Sequence, residues 1–470
     1  MNTPIYHFVN EYKNKNVSRL HMPGHKGKAF LGCESYDITE INGADVLSSA
    51  EGIIEESEQN ATILFKTAHT FYSTEGSSLA IRTMLSLVLS AWKESHGSPV
   101  SGNHKDFHQD PDRNSCRPFI LAARNVHKSF LYGCALLDLD VEWLYPDEFK
   151  SLCCCEVSAA TVDQILSQME TMPVALYLTS PDYLGFVQDI EDIAAVCHRY
   201  KVPLLVDNAH GAYLKFLHPS RHPMDLGADM CCDSAHKTLP VLTGGAYLHI
   251  SKKAPAEYVE LARNTMAVFA STSPSYLILQ SLDLCNQYLA DDYRDRLEKC
   301  ITKVNRLKHF IESKGFTIEP SEPLKIVINT LKSGYDGNTF SSLLREFQIE
   351  VEFADPEYVV MMFTPENSAL DYARIEEAFS SIDRKDELKQ PSFTIEKPIR
   401  RCSIRTAVFG PKTIVTLKDA IGRISGSPAV SCPPAIPIVV SGEEITKQAA
   451  QIFEYYGIHS VEVLKGDNLC

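Results

Sequence analysis

One stretch, Val202 to Tyr247, constrains this chain more than any other. The apolar run Val202–Val206 has the leucine and β-branched content of a strand buried on both faces. It stops at an acid, Asp207, followed by Asn208, Ala209, His210 and Gly211. Thirty positions later (237 − 207 = 30) stands Lys237, within Ser234-Ala235-His236-Lys237-Thr238, with Gly244 and Gly245 close behind. Open α/β sheets bind ligands beyond the carboxyl ends of their strands, so Asp207 is expected at a ligand-binding rim. A lysine among small and hydroxyl residues on a tight loop can serve as a Schiff-base amine. Each feature alone is common by chance, since most lysines are solvated surface residues. The weight comes from upstream.

Gly76-Ser77-Ser78 precedes an apolar-periodic helix expected from about Leu79 to Leu89. Backbone N–H groups, hydroxyls and the helix dipole at such a terminus suit a phosphate, although a plain serine N-cap has the same signature. A strand at Phe119–Ala123 leads to His127, whose imidazole could stack on a flat heteroaromatic ring; a lone histidine there more often caps a helix. Val174–Leu178 reads as a further strand and Ile190–Tyr200 as a helix. Strand, loop and helix alternate, the signature of a parallel α/β sheet, and the candidates fall at strand carboxyl ends. A phosphate cradle, a stacking imidazole, an acid and a lysine together point to pyridoxal 5′-phosphate (PLP). The lysine would hold its aldehyde and the acid its protonated ring nitrogen.

With 470 residues, more than one core is expected. A net charge of −15 argues against a nucleic-acid binder. No apolar run reaches the roughly 18 residues of a membrane span, and the N-terminus is too polar for a signal peptide, so a cytoplasmic protein is expected. The 14 cysteines include no CxxC pair, which favours reduced thiols over disulfides or zinc. Pro23 and Gly24 make a helical metal pair of His21 and His25 improbable, and no metal site is expected. Arg19 to Gly27 is a cation-dense loop suited to a phosphate or carboxylate, or simply a surface turn. Glu94–Cys116 reads as an exposed loop, Gln390–Ser392 as a linker, and a helix is expected from about Thr416. The expected domains are 1–295 (N-terminal segment and cofactor-binding major domain), 296–390 (small α/β) and 391–470 (C-terminal).

The motifs HMPGHKG, RNVHKS, SPDYLG, VDNAHGAYL, DSAHKTLP, STSPSY and AIGRISGSPAVSCPPAIPIVVSGEEI run in order along nearly the whole chain. In them the chain resembles the bacterial ornithine/lysine/arginine decarboxylases. The resemblance implies an α/β PLP-dependent, aspartate-aminotransferase-like (fold type I) major domain with smaller α/β C-terminal domains. It further implies decarboxylation of lysine, arginine or ornithine toward polyamines. Lys237 would carry the cofactor, with His236 beside it; Asp207 would pair with the ring nitrogen and His127 would stack on the ring. Ala209 and His210 would border the cofactor, Ser77, Ser78 and Ser234 would bind its phosphate, and Thr272 would reach the phosphate of a neighbouring subunit. The chain resembles the short form of the family, which implies a homodimer or a dimer of dimers. Three positions depart from the pattern: Asn208 stands where many members have Glu, and Cys432 and Ala435 replace Tyr and Gly.

The distal cation of a basic substrate needs an acid, and Asp182 and Glu443-Glu444 are candidates, surface solvation being the alternative. The competing enzyme class is an aminotransferase or lyase of the same fold, with Arg400, Arg401 or Arg405 clamping the substrate carboxylate. A non-catalytic regulatory relative is a third reading, against which the intact Lys237, Asp207 and His127 count.

Overall fold

The computed structural model describes residues 1–96, 117–146, 151–389, 397–430 and 435–466. The expected loop beyond residue 96, the expected linker and Cys432 lie outside them. Seven strands form the larger sheet: β1 (His69–Ser73), β2 (Phe119–Ala123), β3 (Asp140–Leu144), β4 (Leu176–Thr179), β5 (Leu204–Asp207), β6 (Met230–Asp233) and β7 (Ala246–Ile250). Their order is β1-β7-β6-β5-β4-β2-β3. Every residue of β1, β5, β6 and β7 is buried, as the apolar runs lead one to expect.

The sheet is mixed, which corrects the expectation of a parallel one. β5 and β6 are parallel, whereas β7 is antiparallel to both β6 and β1. The reason is the connection Ser234–Gly245, whose only helix is the single turn Ala235–Thr238. A parallel return needs a full crossover, so this short link turns the chain back instead.

Register then decides which side chains share a face. Directly paired residues face the same way, and successive residues alternate. Cys232 pairs with Asp207, so both lie on one face. Cys231 and Asp233 therefore face the other way, and Cys231 pairs directly with His249 of β7.

The chain divides into two compact units. The first comprises residues 1–121, 158–178 and 189–294; the second comprises 122–157, 179–188 and 295–470. In the first, the helix expected from about Leu79 to Leu89 begins two residues earlier, at Ser77 after Gly76, and runs seven residues further, to His96. The second holds an antiparallel sheet of β8 (Thr317–Glu319), β9 (Lys325–Asn329), β10 (Phe353–Ala354) and β11 (Tyr358–Met362), in the order β10-β11-β9-β8. Val327, Phe353, Tyr358, Val360 and Ile436 form a core there with Cys153. The helix expected from Thr416 is a single turn, Leu417–Ala420. The β-branched run Lys412–Thr416 pairs instead as a strand with Ser460–Leu464, and Thr416 caps the turn that follows. Among the described residues no helix is long and apolar enough to cross a membrane, and none of the cysteines is in a disulfide.

Candidate active site

Three turns of the first unit are fused at the carboxyl ends of β1 and β6 and the amino end of β7. Gly76 donates its backbone N–H to Gly244 O at 2.7 Å, and the Ser73 hydroxyl donates to Gly76 O at 2.9 Å. Gly244 sits at φ +99°, and a Cβ there would meet Thr74 O at 2.9 Å, so only glycine serves. His236 N–H donates to Gly245 O at 3.2 Å, and its ring Nδ1 lies 3.0 Å from the same oxygen. This clamp brings Ser234 Oγ to 2.9 Å from Ser77 Oγ. Two of the three expected phosphate-binding serines thus meet at the N-terminus of a 20-residue helix, with Ser78 next along the same turn. That is the donor set a phosphate needs.

Asp207, 3% exposed, ends β5. Its carboxylate accepts from Tyr177 Oη at 3.2 Å, from Ala209 N at 3.2 Å and from the Cys232 thiol at 3.5 Å. Burial pushes the Cys232 thiol well above the usual cysteine range, and Asp207 beside it adds to the shift, so the sulfur keeps its proton and donates. These contacts are long and few for a carboxylate, which can accept about four hydrogen bonds. Capacity remains for a strong donor such as a protonated ring nitrogen.

Three residues after Asp207, the buried His210 places Nε2 2.9 Å from Lys237 Nζ. The acid and the lysine are therefore joined through one short loop. Ala209 N ties to the acid and His210 to the amine. Lys237 and His236 are half-buried, so a ligand can reach them. Thr272 is exposed.

His127 belongs to the second unit. It is the N-cap of the helix Lys128–Leu137, with Nδ1 accepting from Ser129 N at 3.1 Å. Ala435 O accepts from Lys128 N at 3.1 Å, which anchors Ala435 beside the His127 turn.

The acids expected to meet a substrate cation are engaged elsewhere. Asp182 is 1% exposed, and the Lys325 ammonium donates to its backbone carbonyl at 3.0 Å. Glu443 pairs with Arg124 at 3.0 Å and accepts from Val440 N at 2.7 Å. Glu444 pairs with Arg401 at 2.5 Å. The carboxylate-clamping arginines are likewise occupied: Arg400 by Asp140, Arg401 by Glu444, and Arg405 by the carbonyls of Ala135 and Leu136. Sequence reasoning missed Tyr177 and Cys232. Alternation along their strands was the available signal, but only the register shows that they flank Asp207.

Two models of one family match the chain: the Orn/Lys/Arg decarboxylase major domain over residues 115–332 and its C-terminal domain over 401–461. The chain belongs to the Orn/Lys/Arg decarboxylase family. Among its relatives, the Bacillus subtilis protein YaaO is 29% identical over 96% of this chain and 93% of its own length. A Bacillus subtilis arginine decarboxylase is 28% identical over 95% of this chain and 92% of its own. Lysine decarboxylase A from Pseudomonas aeruginosa superposes with a TM-score of 0.76 over 98% of this chain and 80% of that one, at 16% identity. The Francisella novicida lysine decarboxylase gives 0.75 over 98% and 81%, also at 16%. The fold is fold type I, as these decarboxylases and more distant neighbours share it. Asn208, which departs from the family pattern expected above, donates to Asp233 Oδ1 at 2.6 Å, both residues being fully buried. A carboxylate at position 208 would set two buried anions side by side, which gives the departure its physical reason.

Proposed function

We propose that this chain is a PLP-dependent decarboxylase of a basic amino acid, with arginine the first substrate to test because several Bacillus relatives matched over most of their length are named arginine decarboxylases. The observation that carries the reading is the loop joining Asp207 to Lys237 through His210, beside the paired hydroxyls of Ser77 and Ser234. Lys237 would hold the cofactor's aldehyde, Asp207 its ring nitrogen, and Ser77, Ser78 and Ser234 its phosphate; His127 would face the ring. When bound, PLP supplies the electron sink that lets a carboxylate leave from the α-carbon.

The chain's own residues do the rest. Asp207, buried and under-coordinated, holds a proton on whatever nitrogen faces it and keeps that nitrogen cationic. His210 Nε2 is within proton-transfer distance of Lys237 Nζ, so it can take the proton that leaves the lysine neutral and nucleophilic. Lys237 or His236 would return a proton to the α-carbon. Thr272, exposed on its own chain, would serve the phosphate of a second copy, which makes the working form a homodimer. We place it in the cytoplasm, where its thiols stay reduced. An aminotransferase reading is not favoured, because Arg400, Arg401 and Arg405 already have partners.

The test is to supply the PLP-loaded protein with carboxyl-labelled arginine, lysine and ornithine and to follow CO2 and amine. Release without any keto acid supports the proposal. A strict keto-acid requirement, or borohydride-fixed cofactor mass at a lysine other than 237, would overturn it.

A further inference from the structure

On the face of β6 turned away from Asp207, four metal-ligand side chains converge. Cys231 and Asp233 lie two apart on the strand, His249 is the direct partner of Cys231 across the β6–β7 ladder, and His222 comes from the preceding loop. All four are fully buried, and one donor atom from each lies within 4.8 Å of the other three. His222 Nε2 and His249 Nε2 stand 3.0 and 3.1 Å from the same oxygen, Asp233 Oδ2. An outer layer holds them. Asn208 Nδ2 donates to Asp233 Oδ1 at 2.6 Å, and His249 Nδ1 lies 2.9 Å from Thr70 Oγ1, itself 2.8 Å from Thr67 Oγ1. Ligating histidines and carboxylates are commonly oriented by such outer hydrogen bonds.

Charge decides what fills the centre. A fully buried carboxylate is costly without a compensating cation. The nearby Lys215 ammonium is already matched by Asp225 at 2.6 Å. A divalent ion bound by a thiolate, a carboxylate and two neutral imidazoles sums to zero (2 − 1 − 1 = 0). The other acid–histidine cluster among the described residues, Glu55, Glu58 and His69, differs on this point, for Arg263 supplies its cation at 2.7 and 2.6 Å.

We propose that His222, Cys231, Asp233 and His249 form a buried, closed site for a tetrahedral divalent transition ion of the Zn2+ class. The mixed nitrogen, sulfur and oxygen donor set and the absence of an open position fit a structural rather than a catalytic ion. Binding would expel the Cys231 thiol proton to solvent and shift each imidazole proton from Nε2 to Nδ1. At His249 that proton meets the Thr70 hydroxyl. At His222 it meets Met224 N–H, which now points at Nδ1 from 3.3 Å and must turn aside. The ion would tie β6, β7 and the loop carrying His222 together directly behind the Asp207–Lys237 site.

The experiment is elemental analysis of the PLP-replete protein, purified without a metal-affinity step and dialysed against metal-free buffer. About one zinc per chain is expected. Protein grown on Co2+ should show a thiolate-to-cobalt absorption band that Cys231→Ser removes. The wild-type count and spectrum stand whether or not that variant folds. A PLP-replete protein with only a small fraction of an equivalent of zinc, and no uptake of Zn2+ or Co2+ on refolding in their presence, would leave a proton-filled network and overturn the proposal. Zinc retained in full by a folded Cys231→Ser/His249→Gln variant would overturn it too, because the ion would then sit elsewhere. Cofactor content is read separately by absorbance, so this result is independent of the activity assigned above.

Discussion

Asp207 and Asp233 close two neighbouring parallel strands, both are buried, and they face opposite sides of one sheet. Asp233 accepts three nitrogen donors at 2.6, 3.0 and 3.1 Å. Among the described residues, Asp207 accepts only a phenol, one amide and a thiol, at 3.2 to 3.5 Å. The saturated acid can do nothing but hold the structure, and its two histidines keep it well below the usual carboxylate range despite its burial. The under-coordinated acid has spare acceptor capacity. Coordination, rather than burial, separates the carboxylate proposed to work from the one that supports.

The largest effect that can break this comparison belongs to Asp207→Ala. Turnover should fall by on the order of 10^3-fold, while the thermal unfolding midpoint of the apo-protein moves little. Near-normal turnover in a CO2-release assay would strip Asp207 of its role. Asp233→Ala should do the reverse, removing about 3–5 kcal/mol of stability in urea titrations because it strands two buried imidazoles and Asn208. A loss below about 1 kcal/mol, the level of an exposed pair, would make the two acids equivalent and end the contrast.

A third acid sharpens it in the other unit. Burial raises Asp182 from its ordinary value to about 6, against the lowering pull of the Phe186 N–H and Lys325. Because the folded state holds this proton more tightly, the stability it contributes is full below pH 4 and is lost as pH rises toward 6. Asp182→Asn should therefore gain up to about 3 kcal/mol relative to wild type between pH 4 and pH 8, read as a urea-midpoint difference. An unchanged difference across that range would contradict the assignment. The smallest effect is expected of Tyr177→Phe, which removes one long hydrogen bond to Asp207. A loss of about 1 kcal/mol, near fivefold in turnover, is expected. It should vanish in an Asp207→Ala background, and persistence there would mean that Tyr177 acts through something else.

Much of this was legible before any coordinates. The strand ending at Asp207, the turn bearing Lys237 and the serine-led helix follow from local pattern, and local pattern is what apolar runs and glycine turns encode. The antiparallel placement of β7 was not legible, since no residue in it states which way its neighbour runs. The partners of Asp182, Glu443 and the three arginines were equally hidden, because each lies far away in sequence.

By itself the sequence determined the site's chemical parts, their order, and the family whose motifs it carries. Only the tertiary structure decided that Ser234 meets Ser77, that Tyr177 and Cys232 flank the working acid, and that His222, Cys231, Asp233 and His249 converge behind it. The reason is geometric. A strand's side chains alternate with a period of two, so which residues share a face is fixed only once strand order and register bring distant segments side by side.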